Sequence, residues 1–284
     1  FRILQNSAFY SILRMKEKRK KLNKLLSINY KFFKQEPQKL IEIINKYNKN
    51  RLIQGFEIAV STQEEQKYLI EFAKMLNKYN YILNLHAPTL ENIEQYKKYL
   101  DYAVEISKIT TQKTNIVFHP INAKNILKSK EQTNKYVKEL LKYIEQKNYE
   151  KNIELSIENL NDIKEVKRLK KEDITDILNQ NQKLKFTYDI GHELVDKKEA
   201  KIEQNILIER INNIHIHTHI EQQDHYPLTK NKKDKEITTQ IIEKIKRQNN
   251  NISVVMEYAL DYIEGKTFEE KIKNYINEAN YMNL

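Results

Sequence analysis

The chain has 284 residues, 50 basic against 39 acidic side chains, a formal charge of +11, 39% hydrophobic residues and no cysteine. That length suits one α/β barrel, and the missing thiols exclude disulfides, thiolate metal sites and a cysteine nucleophile. No apolar run approaches the roughly 18 residues of a membrane span. The basic residues spread over helix faces, as at Lys97-Lys98 and Lys170-Lys171, and cluster only over 14–24 and 230–235. The charge therefore reads as a Lys- and Asn-rich bias rather than a nucleic-acid footprint. With no continuous apolar leader in residues 1–14, a soluble cytoplasmic protein is expected.

Residues 1–24 read as an N-terminal extension, basic and helical over 16–24, and the folded domain is expected over 25–284. Residues 25–33 form the first predicted strand, and Pro37 opens a helix with Leu40, Ile41, Ile43 and Ile44 near helical spacing. The second strand covers 53–60. Ser61-x-x-Glu64 caps the helix that carries Leu69, Ile70, Phe72, Ala73 and Leu76. Strand three is 81–85, followed by a helix over 89–109; strand four is 115–118, followed by a helix over 131–146. Strand five is 152–157, with a helical segment between 162 and 179. Strand six is 184–188, with a short helical stretch over 198–207. Strand seven is 211–217, then a polar loop and a helix over 236–247. Strand eight is 252–256, and Thr267-x-x-Glu270 caps a last helix with Phe268, Ile272 and Ile276 on one face.

Eight strands alternating with eight helical segments, at roughly 30-residue intervals, predict a single-domain (β/α)8 barrel. An open doubly wound sheet would carry a Gly-rich phosphate turn, which Gly55, Gly191 and Gly265 do not make.

Active sites of such barrels lie at the carboxyl ends of the strands. Those ends here carry His86, His119, Glu158, Asp189, His215 with His217, and Glu257, on six consecutive strands. All seven histidines (86, 119, 192, 215, 217, 219, 225) fall at these ends or in the loops just after them. Alternation puts His215 and His217 on one face and Ile214 and Ile216 on the other. After strand six, Asp189-x-x-His192 supplies two ligand types, with Gly191 giving the backbone a sharp turn.

Not every group belongs to the mouth. Glu57 reads as an interior carboxylate balanced by a neighbour, Glu154 and Ser156 as lining the barrel floor, and His219 as a solvated loop residue. Carboxylates and imidazoles crowded at one mouth would repel and desolvate one another without a cation. A divalent metal is therefore expected, and oxygen and nitrogen ligands suit Mn, Co, Zn or Mg.

At these residues the chain resembles the xylose isomerase-like TIM barrel superfamily, which includes sugar isomerases and epimerases and apurinic endonucleases of the endonuclease IV type. The resemblance runs from about residue 25 to the C-terminus. It rests on His-Ala-Pro (86–88), His-Pro (119–120), Glu-Asn (158–159), Asp-Ile-Gly-His (189–192), His-Ile-His (215–217), Asp-His-Tyr-Pro-Leu (224–228) and Glu257. In the one-metal epimerases the matching residues, Glu158, Asp189, His215 and Glu257, would hold the metal, and the two glutamates would exchange the proton beside a carbonyl. In the endonucleases nine ligands hold three zinc ions, and the resemblance implies His86, His119, Glu158, Asp189, His192, His215, Asp224, His225 and Glu257.

The departures are Thr218 where the family has Asp, Ile121 where Gly follows His-Pro, adjacent Asp224-His225 in place of Asp-x-His, and the missing Gly-rich turn after Glu-Asn and Thr-Pro after the last Glu. The resemblance thus implies a metal-dependent isomerase or epimerase of a small sugar or sugar phosphate, using one ion. One alternative is a phosphodiesterase that cuts DNA at abasic sites with up to three zinc ions. The other is a non-catalytic barrel that binds a metal or ligand.

Overall fold

The computed structural model describes residues 22–29, 37–60, 63–163, 166–197, 200–202, 207–221, 223–249 and 251–281. Apolar side chains recur at every second strand residue, and that period decides which way each strand faces. In β5 (Ile153–Glu158), Ile153, Leu155 and Ile157 join the buried apolar layer, while Glu154, Ser156 and Glu158 take the opposite, interior face. The remaining barrel strands are β1 (Asn23–Asn29), β2 (Gly55–Ala59), β3 (Ile82–His86), β4 (Thr114–Phe118), β6 (Lys185–Asp189), β7 (Ile211–Ile216) and β10 (Ser253–Met256). They close in the order β1-β10-β7-β6-β5-β4-β3-β2, with every pair parallel. A hairpin, β8 (Thr218–Ile220) with β9 (Gln223–Tyr226), stands after β7.

Eight helices are described: α1 (Pro37–Tyr47), α2 (Gln63–Lys78), α3 (Ile93–Thr110), α4 (Ile126–Gln146), α5 (Lys171–Gln180), α6 (Ile190–Lys197), α7 (Lys232–Gln248) and α8 (Phe268–Tyr281). Their apolar faces pack on the outward strand residues. In this layer Phe56 meets Phe72 and Tyr81 edge-on, with ring centroids 6.1 and 5.4 Å away. Each fully buried side chain of this size contributes ~1.5–3 kcal/mol. The barrel interior is filled separately, by Leu25, Val117 and Val255 and by Ser156 and Thr187, whose hydroxyls bond at 2.8 Å.

Asparagine does much of the capping in this glycine-poor chain. Asn92, Asn125 and Asn231 accept the N–H of Gln95, Lys128 and Asp234 at the starts of α3, α4 and α7. The capping box before α8 forms as expected: Glu270 N–H donates to Thr267 and Thr267 N–H donates to Glu270, each at 3.2 Å. The Ser61 cap and residues 1–21 lie outside the described residues.

Several boundaries differ from expectation. The first strand starts at Asn23, before position 25, and is described to Asn29, with 30–33 outside the described residues. Lys24 therefore belongs to β1 and not to a basic helix, and its ammonium donates to Ala279 O at 2.7 Å on α8. Helix α4 starts five residues earlier than position 131, at the Asn125 cap. Helix α5 is confined to Lys171–Gln180 because the segment before it is held as a loop by Asp162. The polar loop after β7 is the β8–β9 hairpin, and α7 begins at Lys232.

Of the stretch 198–207, only 200–202 and 207 are among the described residues, and these are not helical; the helix after β6 begins at Ile190, directly at the strand end. Asp189 is its N-cap: its Oδ1 accepts the His192 N–H at 2.7 Å. Gly191 therefore makes no sharp turn. It lies inside α6, where a Cβ would stand 2.4 Å from the His217 ring.

Candidate metal centre

The closed barrel brings the six strand ends to one mouth. His86, Glu158 and Asp189 are the last residues of β3, β5 and β6; His119, His217 and Glu257 come one residue after β4, β7 and β10, and His215 lies within β7. Glu158, Asp189, His215 and Glu257 each offer an atom to a group within 4.8 Å of one another. His215 Nδ1 is 3.3 Å from Glu158 Oε1, 3.8 Å from Asp189 Oδ2 and 3.0 Å from Glu257 Oε2. Its other nitrogen, Nε2, is 2.7 Å from Glu57 Oε1. Asn213 donates to Glu57 Oε2 at 2.8 Å, so Glu57 sits behind the ring and orients it.

Two further groups flank the first. His86 Nε2 and His119 Nε2 lie 3.1 and 3.3 Å from Glu158 Oε2. On the other side, His192, His217 and His225 form a three-imidazole group. It adjoins the first through Asp189, which is 3.2 Å from His192 Nδ1 and 3.3 Å from His217 Nε2. A cavity of about 290 Å³ opens over these groups, lined among others by His86, His119, Glu158, His192, Asp224, His225 and Glu257.

Electrostatics follow from the crowding. Burial alone would raise Glu158, but His215, His119 and His86 outweigh it and hold its carboxyl well below the usual range. Glu257 is likewise lowered against its burial, by His215 and then His225. Burial pushes His215 down, and Glu57, Glu257 and Glu158 carry it far above the ordinary imidazole value. His86 and His217 are raised to about 9 against burial, by Glu158 and Asp189 respectively. His119 goes the other way, because burial exceeds the pull of Glu158.

A divalent cation fits this set. Asp189 Oδ2 and Glu257 Oε2 are buried and accept no hydrogen bond among the described residues. Both face His215 Nδ1, so a cation that displaces the His215 proton would meet oxygen and nitrogen lone pairs converging on one point.

The sequence-predicted residues divide as follows. Glu158, Asp189, His215 and Glu257 come together, and so do His86 and His119 with Glu158. Of the adjacent pair, His225 turns into the imidazole group and Asp224 does not; Asp224 accepts from Asn161 at 3.3 Å. His225 achieves this with a left-handed backbone, φ 62°. His219 is not solvated: it is partly buried in β8, with Nδ1 3.7 Å from Asp234. Asp234 also accepts the hydroxyl of Thr218, so α7 brings a carboxylate to the position where the family's Asp is missing.

Asn159 enters the sequence reading only within Glu-Asn (158–159), with no role given to it. Its side chain donates to Asp189 O and accepts Asp189 N–H, both at 2.8 Å, clamping the end of β6 to β5. Its place beside Glu158 was the only available signal. Arg168 was also missed; it lines the cavity from a loop, where no periodicity marks it.

The fold and this mouth define a (β/α)8 barrel with an oxygen- and nitrogen-ligand centre at the carboxyl ends of its strands. Residues 50–279 match the family described as xylose isomerase-like TIM barrel, and the chain belongs to that family. Among solved structures, the chain is similar to a D-tagatose 3-epimerase-like protein, at TM-score 0.60 and 18% identity, over 90% of this chain and 98% of that one. It is similar to the 3-keto-D-glucoside 4-epimerase YcjR from E. coli, at TM-score 0.62 and 14% identity, over 92% and 100%. It also resembles an AP endonuclease, family 2, from Brucella melitensis, at TM-score 0.50 and 12% identity, over 87% and 96%. A search of curated protein sequences finds no match. No helix among the described residues is long and apolar enough to cross a membrane.

Proposed function

We propose that this chain is a divalent-metal-dependent isomerase or epimerase of a small sugar or sugar phosphate, with Glu158, Asp189, His215 and Glu257 as metal ligands. One observation carries the reading: two buried carboxylate oxygens without donors face one imidazole nitrogen at the floor of a cavity. Mn, Co, Zn or Mg held there would polarise a substrate carbonyl and stabilise the enediolate that proton removal leaves.

The protein's own residues would move the proton. Glu158 and Glu257 stand on strands separated by β6 and β7, so they approach a bound sugar from different sides. Both are kept ionised by neighbouring imidazoles, so one would take the proton from the carbon beside the carbonyl, and the other, after gaining a proton from solvent, would deliver it to the opposite face. Both Glu158 oxygens meet imidazoles, whereas the Glu257 side chain is 20% exposed and lines the cavity. Glu257 is therefore the freer of the two bases. Incubated with a ketose panel in heavy water, the metal-loaded protein is expected to place solvent deuterium on the carbon beside the carbonyl. Glu257→Gln should lower that exchange by about a hundredfold with metal still bound; undiminished exchange would remove Glu257 from this role.

A second reading, cleavage of DNA at abasic sites, draws support from the two flanking groups, which give the mouth three adjacent ligand clusters. Close to three zinc ions per chain and nicking of an abasic duplex would establish it. One ion per chain and no nicking with any divalent metal would eliminate it.

A further inference from the structure

Arg168 sits on the loop between β5 and α5, and the loop holds its backbone in place. Asp162 Oδ1 accepts the Arg168 N–H at 3.1 Å, Leu160 N–H donates to Leu169 O at 3.1 Å, and Ile163 bridges Val166 across the loop. The side chain lines the cavity beside His86, His119 and Glu158. Its Nε is buried and, among the described residues, has no hydrogen-bond partner. Two other cationic side chains among the described residues of this loop are committed elsewhere: Lys167 to Asp162, and Lys170 to Asp162 and Asp196. Burial works against the Arg168 charge, while the fields of Glu158 and Asp224 work for it.

A planar fork of N–H donors at a cavity wall, whose buried Nε has no acceptor among the described residues, matches a phosphate or carboxylate group. The cavity, about 290 Å³, is at the small end of ligand sites, which suits a single sugar unit. The metal-ligand carboxylates come from strand ends, and Arg168 comes from the loop above them. A ligand reaching both would carry its oxygens at one end and its anionic group at the other.

We propose that Arg168 is the anion anchor of this cavity and that the substrate is an anionic sugar, either a phosphate ester or a sugar acid. The sugar part of this statement rests on the isomerase reading; the anion part does not. Two measurements on the whole 284-residue chain, Mn-loaded, separate them. The first is calorimetric titration with inorganic phosphate of wild type, Arg168→Gln and Arg168→Lys, at matched metal content. The expected result is a dissociation constant raised about tenfold or more in the glutamine variant and partly restored by lysine. Equal affinities in all three would place phosphate on the cation alone and overturn the anchor.

The second measurement compares kcat/KM for a free ketose, its phosphate ester and a hexuronate. An Arg168-dependent preference for the ester identifies phosphate, and one for the hexuronate identifies carboxylate. An Arg168→Gln variant that loses all three substrates in equal proportion acts through the ligand carboxylates, and the proposal falls. If no sugar turns over while phosphate binding still depends on Arg168, the isomerase reading fails and the anchor stands.

Discussion

At the scale of single residues, the mouth is built by side chains that do two things at once. Asp189 caps α6 with one oxygen and leaves the other toward His215. Gly191 is required because His217 occupies the space of its absent Cβ, a close approach that spacing along the chain could not disclose. Asp162 tethers the backbone of Arg168 and takes hydrogen bonds from Lys167 and Lys170. Burial pushes its carboxyl up, but these donors outweigh it and bring it down to about 2. A depressed carboxylate stabilises the fold above its unfolded value near 4 and loses that contribution as pH falls through 4 toward 2. After discounting for solvent screening the effect is ~1 kcal/mol. Asp162→Asn is therefore expected to be ~1 kcal/mol less stable than wild type at pH 7 and to match it near pH 2 in urea titrations. A gap that persists at pH 2 would contradict the linkage.

At the scale of elements, α5, β6 and α6 are locked by a buried network. Lys171, 2% exposed, meets Glu193 at 2.6 Å, and the hydroxyl of Tyr188 on β6 donates to the same carboxylate. Burial and then Glu193 raise Tyr188 far above the usual phenol value, so it remains a donor. Replacing one member leaves a charge without its partner, which costs about 3–5 kcal/mol. Lys171→Met should lose stability on that scale in urea unfolding, whereas a loss under ~1 kcal/mol would mean that Lys197, 3.6 Å from Glu193, takes over. The network anchors the first turn of the helix that Asp189 caps. The pattern of Lys, Glu and Asp there looks like a solvated face until the chain is folded.

For the whole molecule, closure of the barrel concentrates Glu57, Glu158, Asp189 and Glu257 at one end, inside a chain whose net charge is +11. The global excess of positive charge says little about this acidic mouth. Ligand binding to the folded state alone adds RT ln(1 + [L]/Kd), about 2.7 kcal/mol at a hundredfold excess over Kd. For a chain of this size that is a melting-temperature shift of about 5–10 °C. Removing metal with a chelator should lower the melting temperature by that amount, and adding back Mn or Zn should restore it. No shift in either direction would argue against a cation at this centre.

Strand alternation and the residue types at strand ends are local properties, so the barrel and the residues that gather at its mouth were readable from the chain itself, but not how those residues group. Helix starts at Ile126, Ile190 and Lys232 were not, because their caps, Asn125, Asp189 and Asn231, are residue types that recur throughout this chain and only packing decides which of them caps. The same holds for Glu57 behind His215, for His225 rather than Asp224 joining the imidazoles, and for Arg168 at the cavity wall. Each of these depends on which loop crosses which strand end. One-dimensional periodicity records the direction a side chain faces, but what it meets there is decided only when the barrel closes.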